Sequence, residues 1–201
     1  MSCGCVAIID SGGSNIASLQ YALKRLDARA ELTTDAQRIR VSSHVILPGV
    51  GAAADAMRRL RQTGLDKLIP TLKQPVLGIC LGMQLLASRS EEQDTACLNV
   101  ITGSSEKLQG TSDAPVPNMG WCPVTIDAES PLLSGIASGS HFYFLHSYAL
   151  PVSNFSVATA QHTGPFTAIL QYRNFFATQF HPERSASSGA RLLHNFLRLK
   201  W

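Results

Sequence analysis

The sequence predicts an α/β fold in which a mostly parallel sheet flanked by helices is joined to an antiparallel second half. Three observations carry this reading. Short continuous apolar runs, Val6-Ala7-Ile8-Ile9, Val45-Ile46-Leu47 and Pro75-Val76-Leu77, have the texture of strands buried on both faces. Helix-period segments alternate with them, as strands alternate with helices in parallel sheets. Beyond Glu92 strand-like segments follow one another with little helix between them. The length of 201 residues suits a single domain spanning 1–201 with one substantial core.

Taken in order, the first strand at Val6 to Ile9 leads through a Gly-rich turn into a helix over Ile16 to Leu26. A second strand lies around Ala30 to Thr33 and a third at Val45 to Leu47. A helix from Ala52 to Gln62, an apolar-periodic segment at Leu65 to Leu72 and a strand running into Cys80 complete the first half. Ligands of such folds bind at the carboxyl ends of the strands, where Asp10, Pro48 and Cys80 emerge. In the second half, strands are expected at Val116 to Ile126, Phe142 to Leu150, Phe155 to Ala160, Thr167 to Tyr172 and Phe175 to Phe180. Arg173-Asn174 reads as a turn and Gly103 to Pro117 as the most loop-like stretch. A last helix over Gly189 to Leu199 places Leu192, Leu193, Phe196 and Leu197 on one core-facing stripe.

Gly78-Ile79-Cys80-Leu81-Gly82 places a cysteine where a strand turns into the helical pattern Met83 to Ala87. The arrangement matches a nucleophile elbow with sulfur in place of oxygen, because flanking glycines let strand and helix pass closely while the side chain is pushed outward. A helix N-terminus beneath the sulfur favours the thiolate. The competing reading is a buried cysteine in a Gly-rich turn.

Far downstream, Gln179-Phe180-His181-Pro182-Glu183 supplies what that elbow needs. If the extended chain continues past Phe180, His181 and Glu183 project from the same side, since alternate residues of a strand share a face. Glu183 then accepts from one imidazole nitrogen while the other takes the thiol proton, a Cys-His-Glu triad. The bland alternative, an ordinary strand exit at Pro182, gives way when the motif is paired with the elbow.

Composition excludes several other functions. A net charge of +3, with 45 % apolar and 15 % charged residues, gives no reason to expect nucleic acid. The one basic cluster, Arg58-Arg59-Leu60-Arg61, is either a solvated helix face or a docking patch. No run is long enough to span a bilayer and no signal-peptide pattern opens the chain, so cytoplasm is the expected location. Five cysteines in such a chain do not suggest a disulfide framework, and Cys3, Cys5, Cys97 and Cys122 read as bystanders. Six dispersed histidines without helical pairing, and no C-x-x-C, argue against metal. Gly12-Gly13-Ser14 lacks the spacing of a dinucleotide loop, so no cofactor is expected.

Four segments together resemble the class I glutamine amidotransferases. They are Leu47-Pro48-Gly49-Val50-Gly51-Ala52, Gly78 to Gln84 with Ser90-Glu91-Glu92, Phe142 to Tyr148, and Gln179 to Ser185. Within that class, Pro117-Asn118-Met119-Gly120-Trp121 and His146-Ser147-Tyr148 are similar to the glutaminase subunit of imidazole glycerol phosphate synthase, from histidine biosynthesis. The chain departs from that family in two places. Asp10-Ser11-Gly12-Gly13-Ser14-Asn15 stands where Asp-Tyr-Gly-x-Gly-Asn is usual, and Asn118 and Cys122 stand for the His and Asn of Pro-His-Met-Gly-Trp-Asn.

The resemblance implies the class I glutamine amidotransferase, flavodoxin-like fold and hydrolysis of glutamine to glutamate and ammonia. It implies oxyanion donors at Leu81 and in the Gly49-Val50-Gly51 turn, with Gln84, Glu92 and Gly51 and the His146-Ser147-Tyr148 backbone around the substrate. From the residues alone, Glu92 beside Glu91 reads first as a solvated charge, and His146 reads equally as a packed structural histidine or a ligand. The implied partner is a (β/α)₈ cyclase in a heterodimer, with Asn15, Pro117, Met119 and Trp121 as interface candidates and the Val50 turn as a switch. Competing readings are the glutaminase subunit of another amidotransferase, a different thiol hydrolase, and a non-catalytic binding module on the same fold.

Overall fold

The computed structural model describes residues 5–12 and 16–200. β1 (Val6–Ile9) is buried along its whole length, and α1 (Ile16–Lys24) turns Leu19, Ala22 and Leu23 inward. β2 (Ala30–Thr33) is followed by α2 (Ala36–Val41), a six-residue helix that hydrophobic periodicity does not reveal because it buries only Ile39. Its start is set by Asp35, whose Oδ1 accepts from the Gln37 and Arg38 amides at 2.8 and 3.0 Å. Those hydrogen bonds hold the Asp35 carboxyl below its usual pKa. β3 (His44–Gly49) leads to α3 (Ala53–Gln62), α4 (Leu65–Leu68) and a 3₁₀ turn at Ile69–Thr71. β4 (Val76–Cys80) is buried throughout and runs directly into α5 (Leu81–Gln84). α5 is a single turn, shorter than the helical pattern through Ala87 suggests.

The second half holds β5 (Arg89–Ser90), β6 (Thr95–Ala96), β7 (Ser104–Lys107), β8 (Asn118–Pro123) and β9 (Thr125–Ile126). Then come β10 (His141–His146), β11 (Tyr148–Ala149), β12 (Ser156–Gln161), β13 (Pro165–Tyr172), β14 (Phe175–Thr178) and α6 (Ala186–Leu197). The expected Phe142 to Leu150 strand is divided at Ser147, where the chain changes partner: β10 pairs with β8, and β11 with β7. The loop-like stretch from Gly103 therefore opens with a short strand.

Eight strands form one sheet in the order β2-β1-β3-β4-β14-β13-β12-β9. β2, β1, β3, β4 and β14 run parallel, while β13, β12 and β9 continue antiparallel. Because β14 returns to lie beside β4, with Thr178 opposite Ile79, the carboxyl ends of these strands emerge together. That adjacency brings Cys80 and His181, 101 residues apart by number, to one place.

Two apolar cores cover the faces of the sheet. One contains Phe142, Phe144, Phe166 and Phe180, with Phe142 stacked on Phe180 at 4.1 Å and Phe144 edge-on to Phe180 at 5.5 Å. Burial of such a side chain contributes about 1.5–3 kcal/mol, so Phe180 anchors the residue that follows it. α6 packs Leu192, Leu193 and Phe196 against this core, as its stripe predicts. Gly189 lets it approach the turn at Pro182: a Cβ there would lie 2.0 Å from the Pro182 carbonyl oxygen. Among the described residues no helix is long and apolar enough to cross a membrane.

Candidate active site

Cys80 has φ +53° and ψ −110°, a conformation that a non-glycine residue adopts only when its surroundings impose it. The surroundings do so through close packing of the turn on β3. A Cβ at Gly82 would lie 1.8 Å from the Leu47 carbonyl oxygen, so only glycine fits there. Cys80 Sγ stands 3.6 Å from the Leu145 carbonyl oxygen and 3.7 Å from Gln179 Nε2. With only one turn in α5, support for a thiolate comes from the first amides after Cys80 and not from a long helix dipole.

The extended continuation expected past Phe180 stops at His181. Pro182–Arg184 form a 3₁₀ turn, and that turn folds Glu183 back so that its Oε1 lies 2.9 Å from His181 Nδ1. The expected pairing is therefore reached by a different backbone route. Ser185 fastens the turn: its Oγ donates to the His181 carbonyl at 2.7 Å and accepts from the Tyr143 amide at 2.9 Å. The His181 amide donates to the Tyr143 carbonyl at 2.9 Å, tying the turn to β10. Burial opposes a charge on His181, but hydrogen bonds to the Cys80 sulfur and Glu183, together with their negative charges, push its pKa up to about 10. The surroundings of His181 thus favour the imidazolium beside the Cys80 sulfur.

A cavity of about 550 Å³ opens over Cys80. Val50, Gly51, Leu81, Gln84, Glu92, Pro117, His146, Ser147, Tyr148 and His181 all line it, so the sequence-expected residues from five separate segments converge. Glu183 does not line it but stands behind His181. Glu92 has a second task, because its Oε2 accepts from the Ala53 amide at 2.7 Å. It caps the α3 N-terminus, where Ala52 provides no side-chain cap. Neither alternative for Glu92 was complete: it is both a cap and a pocket residue.

His146 is engaged at both ring nitrogens, Nδ1 with the Tyr148 carbonyl at 2.9 Å and Nε2 with Asn118 Nδ2 at 3.1 Å. Burial drives its pKa down to about 4, with the Tyr148 hydrogen bond opposing. It is a neutral, packed histidine that also borders the cavity. The two residues by which this chain departs from the family near here touch one another: the Cys122 thiol lies 3.7 Å from Asn118 Oδ1. Gln84 Nε2 donates to the Tyr148 carbonyl at 2.7 Å and to Gln179 Oε1 at 3.2 Å.

Met119 and Trp121, 68 % and 52 % exposed, present apolar surface from β8. Asn15 lies outside the described residues. Sequence reasoning left out three residues that the structure brings to the site: Gln179, Ser185 and Arg184, whose guanidinium sits 4.5 Å over the Tyr143 ring at the pocket wall. All three lie in the Gln179 to Ser185 segment that flanks His181, and its polar residues were the available signal. Cys97 and Cys122 are poor competitors for chemistry, since burial raises the Cys97 pKa to about 11 and also raises that of Cys122. No group of three or more metal-ligating side chains is found among the described residues.

Residues 7–199 match the family model for class-I glutamine amidotransferases, and the chain belongs to that family. It is 48 % identical over 195 residues to imidazole glycerol phosphate synthase subunit HisH 2 of Legionella pneumophila, covering 97 % of this chain and 98 % of that one. It is 46 % identical over 194 residues to subunit HisH of Xylella fastidiosa, with coverage of 96 % and 97 %. A glutamine amidotransferase of known crystal structure shares the fold, with a TM-score of 0.73 at 18 % identity over 96 % of each chain.

Proposed function

We propose that this chain is the cytoplasmic glutaminase subunit of an imidazole glycerol phosphate synthase, a single domain over 1–201 that feeds ammonia to a cyclase in histidine biosynthesis. The observation that carries the reading is Cys80 on a strained elbow at a cavity shared with His181, whose imidazole is held by Glu183 at 2.9 Å. Relatives of the same length and close sequence support it.

The Cys80 thiolate attacks the side-chain amide carbon of glutamine, and its electron pair forms the C–S bond as the carbonyl oxygen becomes an oxyanion. His181 transfers its proton to the amide nitrogen, the C–N bond breaks and ammonia leaves. His181, now a base, takes a proton from water as the oxygen attacks the thioester. Glutamate departs and the thiolate and imidazolium return. The backbone amide of Leu81 and one from the Val50-Gly51 turn donate to the oxyanion, each worth about 3 kcal/mol in the transition state. Glu92, pre-oriented by the Ala53 amide, receives the substrate ammonium; Gln84 and the Ser147-Tyr148 backbone hold the rest of the amino-acid end, with His146 as packing behind it.

Ammonia released to water is protonated and ceases to be a nucleophile, so the acceptor site must adjoin. The acceptor in this reading is a (β/α)₈ cyclase of roughly 250 residues, joined to this chain in a heterodimer. It would use the ammonia to form imidazole glycerol phosphate and aminoimidazole carboxamide ribotide. The exposed Met119 and Trp121, with Pro117 and Asn15, are the docking residues, and reorientation of the Val50 amide is the switch by which the cyclase raises glutaminase activity.

Glutamine turnover by the isolated chain and by the reconstituted pair, with and without the cyclase substrate, tests this. Low activity alone and stimulation by the liganded cyclase are expected. Equal rates throughout would refute coupling. Failure to bind a cyclase would point to the subunit of another amidotransferase, and absence of any hydrolysis to a binding module.

A further inference from the structure

Gln179 is fully buried two residues before His181, and no step above uses it. Its Nε2 stands 3.7 Å from Cys80 Sγ and its Oε1 3.2 Å from Gln84 Nε2. Which end of this amide faces the sulfur is decided by the groups leading away from it. The Tyr148 carbonyl can only accept, so the end of Gln84 turned toward it must be the nitrogen. That nitrogen demands an oxygen from Gln179, which turns the Gln179 N–H toward Cys80. The same carbonyl accepts from His146 Nδ1, and neutral His146 then offers Nε2 as an acceptor to Asn118 Nδ2. The Asn118 oxygen remains for the Cys122 thiol. Every member has one consistent role, and reversing either glutamine would set like groups face to face.

We propose that Gln179 is a further member of the catalytic machinery, donating its side-chain N–H to the Cys80 sulfur and favouring the thiolate, with its direction dictated by the Gln84, Tyr148, His146 and Asn118 chain. The proposal rests on Cys80 being the nucleophile. A donor to an ionised acceptor stabilises the charged form, and an amide does not titrate, so this donor persists when His181 has given up its proton. The backbone of Gln179 is fixed by its amide donating to the Ala168 carbonyl at 2.9 Å. The titratable groups around the sulfur are His181, with Glu183 behind it, while Glu92, His146 and Arg184 also line the cavity.

The test measures alkylation of Cys80 by iodoacetamide in the full chain across pH 5 to 9, together with glutamine turnover in the reconstituted pair. Gln179→Met keeps the volume and removes the donor. It should move the alkylation profile to higher pH and lower turnover about tenfold, the scale of one hydrogen bond to a charged group. Gln179→Asn retracts the amide from the sulfur and should act in the same direction, which decides the matter if the Met variant does not fold. An unchanged alkylation profile in a folded variant overturns the role of Gln179. Alkylation needs no glutamine, so a chain whose profile moves as expected but which never turns over glutamine would sink the glutaminase reading and leave this role standing.

Discussion

His181 and His146 border the same cavity and are equally buried, 4 % and 5 % exposed, yet their charges are driven in opposite directions. Burial disfavours the imidazolium in both. Around His181 the neighbours are a carboxylate and a thiol, and the pKa rises to about 10; around His146 they are a carbonyl and an amide, and it falls to about 4. Burial therefore does not decide which histidine favours its charged form. The charge of the hydrogen-bond partner does.

The largest effect that can break this comparison is removal of the sulfur. Cys80→Ala is expected to abolish glutamine hydrolysis while leaving the fold and ammonia-driven synthesis by the assembled enzyme intact. In the wild-type chain a glutamine-like electrophile should label Cys80 ahead of Cys97 and Cys122, which burial keeps as thiols. Preferential labelling of either would remove the nucleophile assignment.

His181→Ala should cost nearly as much turnover as loss of the thiol, because no other described residue stands ready to carry the proton to the leaving nitrogen. Glu183→Gln should be milder, below the roughly 10⁴-fold loss seen for acid-to-amide changes in serine triads, since sulfur is the stronger nucleophile. Steady-state kinetics of both variants decide the order; a Glu183→Gln variant worse than His181→Ala reverses the roles.

His146→Phe sharpens the other side. It leaves the Tyr148 carbonyl short of one donor and Asn118 Nδ2 without its acceptor, for a stability loss of about 1–3 kcal/mol by urea unfolding. Turnover should fall less than for either triad variant.

The remaining effects are those of pH on stability. His146 binds its proton less readily folded than unfolded, so the stability linked to it is full above pH 6.5 and lost as pH falls toward about 4. His181 binds its proton more tightly folded, so its contribution is full below pH 6.5 and lost as pH rises toward about 10. Unfolding curves across that span should show the acid-side loss shrink in His146→Phe and the alkaline-side loss shrink in Cys80→Ala. A His146→Phe chain that loses as much stability as wild type between pH 6.5 and 4 would contradict the assignment.

By itself the sequence determined the alternation of apolar runs and helical patterns, the strand into Cys80, the antiparallel second half and the residues of the candidate triad. Each of these is written in local period or in covalent spacing: five of the six residues in β3 and all five in β4 are buried, and a Gly-x-Cys-x-Gly elbow needs only five residues to be recognised. Asp35 and α2 escaped because a six-residue helix with one buried side chain has too little period to stand out. Tertiary structure alone decided that Glu92 caps α3, that His146 has both nitrogens occupied, that a 3₁₀ turn and not an extended strand delivers Glu183, and that Gln179 reaches the sulfur. Three of these, the Glu92, His146–Asn118 and Gln179 contacts, join groups 39, 28 and 99 positions apart. Donor and acceptor at such separations meet only after distant elements have paired, β10 on β8 for His146 and Asn118 and β14 beside β4 for Gln179 and Cys80, and no local pattern encodes which of two similar side chains will face a carboxylate and which a carbonyl.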